Sequence, residues 1–221
     1  MPKRLVASDT GVAPVDDAAP VVRSLTGLRK AENACRRCPL YKNATQAVPG
    51  EGPSHAKVML VGEQPGDKED LAGKPFVGPA GRILDKALAD AGIPRSETFV
   101  TNAVKHFKFE PRGKRRLHKK PNAYEIERCK WWFEQERAIV KPELIVALGA
   151  TGARAVMGRA VTIGKLRGQA LSFDDGTRVV ITVHPSALLR MQDDAERHAA
   201  YAAFVKDLKI AANLVFGKKA A

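Results

Sequence analysis

Three groups of residues carry reactive side chains at spacings that could do chemistry. Lys114-Arg115-Arg116-Leu117-His118-Lys119-Lys120-Pro121 packs five cations and one imidazole into eight residues. Such a run can dock a phosphate backbone, and its histidine can act as a nucleophile or proton carrier. A second group is Gly62-Glu63-Gln64-Pro65-Gly66 followed by Gly73-Lys-Pro-Phe76-Val-Gly78-Pro-Ala-Gly81. Glycine at this density lets backbone approach a ligand, but neither the dinucleotide fingerprint nor the P-loop is spelled out. The third group is Cys35-x-x-Cys38 with a distant Cys129, which is familiar metal-ligand spacing.

The composition narrows the partner. Thirty-seven Lys and Arg against 24 Asp and Glu leave a formal charge of +13 and a pI near 9.9. A polyanion is the expected ligand and nucleic acid the leading candidate, with a merely basic solvated surface as the bland alternative. No apolar run reaches membrane-spanning length, and the start MPKRLVASDT lacks the apolar core of a secretory signal. The expectation is a soluble intracellular protein without membrane association, and an odd number of cysteines suits that compartment.

The elements that must position these groups alternate. Residues 1 to about 22 read as a mobile arm and 23–221 as one domain. Ser24–Ala34 has helical character; Lys57–Val61, Thr98–Val104 and Glu143–Leu148 read as buried strands. Arg82–Ala91, 122–140 and Thr151–Met157 read as helices. A hairpin over Leu171–Phe173 and Arg178–Val183 precedes a final helix from about Asp194 to Val215. Strands separated by helices predict a three-layer αβα fold around a mainly parallel sheet. Loops 62–81, 105–121 and 184–190 all leave the carboxyl ends of those strands and should converge on one site.

The order Gly-Glu-x-Pro-Gly, Gly-Lys-Pro-Phe-Val-Gly-x-x-Gly, Thr-Asn and His184-Pro-Ser-Ala-Leu-Leu-Arg190 resembles the uracil-DNA glycosylase superfamily, particularly the iron-sulfur family 4 enzymes. Three departures look like the UdgX branch, which captures uracil-DNA covalently: Gln64 after Glu63, His106 where the Thr-Asn strand normally leads to a cysteine, and the basic insertion with His118. The resemblance implies uracil-containing DNA as partner, with single strands favoured, a monomer, and a place in the bacterial cytosol and nucleoid.

It also implies roles. The uracil is flipped out of the stack, at a cost of a few kcal/mol. Phe76 stacks on the base, and Asn102 pairs with N3-H and O4, a pattern that cytosine reverses. Leu188 fills the vacated stack. Gly62, Gly66, Asp67, Ser186 and Arg190 contribute to substrate binding, and Lys114, Arg115 and Arg116 dock the backbone. His184 stabilises the leaving base at O2, while Glu63, alone or with Gln64, supports the cationic sugar.

His118 then competes with water for C1′. Imidazole is the better nucleophile and tethering raises its effective concentration, on the order of many molar. It attacks when neutral, and the neighbouring cations are expected to favour that form. Its adduct has no easy exit, so turnover stalls. The alternatives are an ordinary multiple-turnover glycosylase and a non-catalytic iron-sulfur DNA-binding module. Cys35, Cys38, His106 and Cys129 form the implied shell of a 4Fe-4S cluster; these residue types suit Cys3His zinc equally, and the resemblance favours iron.

Overall fold

The computed structural model describes residues 3–4 and 22–217. The arm expected over 1 to about 22 lies largely outside them, apart from Lys3–Arg4 and residue 22.

The strands are β1 (Lys3–Arg4), β2 (Val58–Gly62), β3 (Thr98–Asn102), β4 (Phe109–Arg112), β5 (Arg115–His118), β6 (Leu144–Leu148), β7 (Ala170–Ser172) and β8 (Arg178–Thr182). The helices are α1 (Leu25–Asn33), α2 (Asp67–Ala72), α3 (Pro79–Ala91), α4 (Ala123–Val140), α5 (Gly149–Met157), α6 (Ile163–Leu166), α7 (Ser186–Leu189) and α8 (Asp194–Phe216). One sheet has the order β1-β7-β8-β6-β2-β3, and β4 and β5 form a separate ribbon. Strands β3, β2, β6 and β8 are parallel neighbours, and β7 runs antiparallel to β8.

β2, β3 and β6 are buried along their whole length; β2 and β6 accordingly read as continuous apolar runs, while β3 mixes Phe99 and Val100 with Thr98, Thr101 and Asn102. Alternate residues serve opposite faces. Val58, Leu60, Val100 and Val146 pack with α3 and α8, while Met59, Val61, Phe99 and Ile145 pack with α4 and α5. A third cluster joins α1, the cysteines and α4.

Local chemistry sets the helix ends. Asn122 accepts from Glu125 N, and the Glu125 carboxylate accepts from Asn122 N, closing both ends of the α4 cap. Pro79 opens α3, and Gly92, with φ of 73°, ends it.

Two segments read as loops are ordered elements. Loop 62–81 contains α2, held because the Glu69 carboxylate accepts from Gly66 N at 3.1 Å and Gly78 N at 2.7 Å. Loop 105–121 is the β4–β5 hairpin, turning at Gly113 with φ of 59°. All the segments that follow β2, β3, β6 and β8 reach one end of the sheet.

Candidate active site

That end is a cleft of about 740 Å³. Gly62 closes β2 at its floor. A Cβ there would lie 2.4 Å from Asn102 Oδ1 and 2.6 Å from Phe76 Cζ, so glycine allows both side chains to lie against the strand end. Phe76 holds a positive φ of 56°, a conformation that costs a non-glycine residue free energy and is found where surroundings enforce it. Gly81 makes room for it: a Cβ there would overlap the Phe76 carbonyl. Asn102 is buried, and its backbone carbonyl accepts from Lys105 Nζ at 3.0 Å. Lys105 is itself fully buried, paired with Glu136 at 2.7 Å and bonded to Thr101, so β3 ends on a fixed ionic knot.

His184 forms one wall. Its Nδ1 lies 2.8 Å from Ser186 Oγ and accepts from Ser186 N at 3.2 Å. Burial, opposed by Glu63 and aided by Arg190, lowers its pKa to about 4. The ring is therefore neutral near pH 7 and carries its proton on Nε2. Its centroid stands 5.9 Å from that of Phe76, and Gly149, with φ of 79°, leaves room for its Cβ. The wall thus presents an aromatic face, a buried carboxamide and a neutral N-H donor, a set suited to a flat polar ring.

The opposite wall carries His118, half exposed on β5, with Nε2 3.1 Å from Glu63 Oε1. Thr151 donates to Glu63 Oε2 at 2.5 Å. Burial works against ionisation of Glu63, yet hydrogen bonds from His118 and Thr151 hold its carboxyl below the usual range. The nearest charge to His118 is therefore an anion. The cations expected to repel a proton from it are partly spent elsewhere: Arg116 is bound to Asp67 and the buried Asp70 at 2.6 Å each, and Lys119 is paired with Glu110.

Three residues expected at the site are engaged within the protein. Arg116 does not project to a backbone; it clips the hairpin to α2, with Thr45 Oγ1 also within 3.2 Å. Asp67 lines the cleft and serves as one of its anchors. Gln64 lines the cleft with its side-chain amide engaged by the hairpin. Its amide donates to Lys108 O at 3.0 Å and Lys119 O at 3.2 Å and accepts from Lys108 N, stapling both ends of the hairpin to the β2 loop.

Lys114 and Arg115 remain exposed at the hairpin tip, and Arg190 on the cleft rim. Leu188 requires correction. It is 1% exposed, packed in the core with Phe204 and Leu208, and cannot enter a stack; its neighbour Leu189, 48% exposed, stands at the rim. Sequence reading also missed Thr151, Glu69, Asp70 and the Lys105–Glu136 pair, none of which lies in a recognisable motif.

The cysteines gather in the cluster between α1 and α4. Trp132 Nε1 donates to Cys35 Sγ at 3.1 Å, and the backbone N-H groups of Lys105 and Arg37 point at Cys129 Sγ and Cys35 Sγ at 3.2 and 3.5 Å. Burial pushes the Cys38 and Cys129 thiols up. Buried thiols surrounded by N-H donors fit metal-bound thiolates, whose sulfur charge such donors stabilise. His106 adjoins Lys105 and is also buried; burial and Arg36 lower its pKa to about 4, giving a neutral imidazole able to ligate. Among the described residues no three His, Cys, Asp or Glu side chains close on a single-ion site.

The chain belongs to the uracil DNA glycosylase superfamily, whose sequence profile matches residues 49–209. Similar relatives include a type-4 uracil-DNA glycosylase of Pyrobaculum aerophilum, 42% identical over 71% of this chain and 80% of that protein. The type-4 enzyme of Thermotoga maritima is 38% identical over 74% and 82%, and that of Archaeoglobus fulgidus 32% over 76% and 84%. No helix among the described residues is long and apolar enough to cross a membrane.

Proposed function

We propose that the protein binds uracil-containing DNA, cleaves the N-glycosidic bond of the flipped uracil, and becomes attached to the deoxyribose C1′ through His118. The observation that carries this reading is the placement of His118 Nε2 3.1 Å from an ionised Glu63, across the same cleft from Asn102 and His184.

Uracil enters between Phe76 and the cleft floor, where the Asn102 carboxamide pairs with N3-H and O4. The bond between C1′ and N1 breaks with its electron pair going to the base. His184 Nε2-H donates to O2 and disperses that charge; neutrality keeps the donor in place without a proton transfer. Glu63 faces the cationic sugar. One ring nitrogen of His118 forms the new bond to C1′, and a proton on the other passes to Glu63 or to water, leaving a neutral alkyl-imidazole that does not depart. Exposed Leu189, rather than Leu188, supports the vacated stack, and Lys114, Arg115 and Arg190 supply charge to the strand.

Cys35, Cys38, His106 and Cys129 would hold a 4Fe-4S cluster, whose contribution is structural. These residues tie the segment after α1 to β3 and α4, at the root of the hairpin. Zinc held as Cys3His is the competing reading, and the type-4 relatives favour the cluster.

A denaturing gel of protein with uracil-containing single-stranded DNA tests the reading. A retarded band that also lacks uracil supports capture. Abasic product at full mobility would reduce the activity to ordinary turnover, and unaltered DNA would leave only binding.

A further inference from the structure

Beside the cleft lies a smaller pocket of about 260 Å³, and the two share Ala150. We propose that this pocket, between Lys120 and Arg154, is a second substrate site that holds a backbone phosphate of the DNA strand next to the nucleotide in the cleft. The proposal rests on the reading of the cleft as a uracil-DNA site and adds the direction in which the strand leaves it.

Arg154 is the first observation. It is partly buried and makes no hydrogen bond or ion pair with any described residue. The other partly buried arginines among the described residues are each held by a carboxylate or a carbonyl, as Arg116, Arg128 and Arg167 are. A guanidinium carries five donors, and half-burying it without acceptors loses hydration that nothing returns. An anionic ligand would return it, and a phosphodiester accepts from the guanidinium fork through two oxygens at once.

Lys120 is the second. Lys119 beside it is engaged with Glu110, and Lys108 at the other end of the hairpin with Glu125, but Lys120 is exposed and has no such partner among the described residues. No carboxylate lines the pocket, while Pro121, Ile126 and Val161 give it an apolar floor. An apolar floor between two cations suits a sugar-phosphate unit better than a free hydrated ion.

Position is the third. Thr151 lines this pocket and donates to Glu63 in the cleft, and Arg154 follows it by three residues on α5, on the same helix side. The pocket is therefore one step from the carboxylate that faces the sugar, as the next phosphate of a continuous strand must be.

The test uses the full chain in excess over a uracil-containing single-stranded oligonucleotide, with uracil release followed against protein concentration and salt. Arg154→Gln with Lys120→Gln should raise the half-saturating concentration about tenfold, with a smaller change in plateau rate. It should also lower the slope of log affinity against log salt by about 0.7, the contribution of the one phosphate no longer neutralised. Shortening the oligonucleotide on one side of the uracil should erase the difference between variant and parent, and shortening it on the other should not. Lys206→Gln with Lys209→Gln, exposed on α8 against the opposite face of the sheet, is the equal-charge control. Identical half-saturation and slope for variant and parent, or a loss equal to the control's, overturns the proposal. So does a loss insensitive to which side is shortened, or an acidic peptide competing where unmodified DNA does not. If the parent protein releases no uracil, the cleft reading has failed, and side-dependent binding of the same oligonucleotides still decides the pocket.

Discussion

The two histidines facing the cleft are held by opposite means. His184 sits on a segment that leaves β8 directly into α7, with its Nδ1 engaged by Ser186 and a core leucine, Leu188, beneath it. His118 sits on a two-stranded ribbon outside the main sheet, 49% exposed at its side chain, held to the body by Gln64 and Arg116. The half of the site that would hold a base is therefore an extension of the hydrophobic core. The half that would meet the sugar is an appendage tied on by polar bonds. The first should fail only with the fold, and the second should fail alone.

The largest effect should come from removing the appended imidazole. His118→Ala is predicted to lower covalent product at least 10³-fold while uracil release stays within about tenfold, since water takes over at C1′. A denaturing gel and uracil quantification on the same samples check this, and a retarded band from the variant would mean that another group attacks.

Next come the paired leucines. Leu188→Ala should cost about 2–5 kcal/mol in chemical denaturation, as a cavity in the core does, while Leu189→Ala should leave stability nearly unchanged and weaken uracil-DNA binding. Equal stability losses would erase the distinction between core and rim.

Gln64→Ala removes the staple between the β2 loop and both ends of the ribbon. At about 1 kcal/mol for each net hydrogen bond, the ribbon loosens without unfolding the domain. Capture should slow roughly tenfold, and uracil release in a His118→Ala background should barely move. If both fall together, the ribbon also positions the base-holding half.

The smallest effect is in pH. His184 titrates near 4 and Glu63 below the usual carboxylate range, both values lowered relative to the unfolded chain. Lowered values mean that the active forms, neutral imidazole and carboxylate, persist above those values and are lost as pH falls through them. Uracil release by the unsubstituted protein should stay flat from pH 8 to about 5 and decline near 4. A decline centred between 6 and 7 would place a different group in control.

The central sheet was legible because β2 and β6 are uninterrupted apolar runs and β3 is rich in β-branched residues, and their shared direction fixed the end at which the loops meet. Glycine-rich stretches marked the cleft correctly for the reason shown at Gly62 and Gly81, where backbone or side chain occupies the Cβ position. The β4–β5 ribbon was not legible as strands. Its four-residue segments bear charge on both faces, and its register is held by Arg116, Gln64 and Lys119 reaching partners distant in sequence or across the ribbon; only Gly113 hinted at the turn. The choice between Leu188 and Leu189 was also beyond local pattern, since a helix of four residues has no periodicity to read. Lys105 and Glu136, 31 residues apart, form a buried pair that no motif announces.

Intact mass of the protein after incubation with a uracil-containing oligonucleotide tests base loss and attachment together. The predicted species weighs the protein plus the oligonucleotide minus one uracil, and it disappears in His118→Ala. Unmodified protein beside free uracil and abasic DNA would contradict the account, because solvent would then have reached the sugar before the imidazole did.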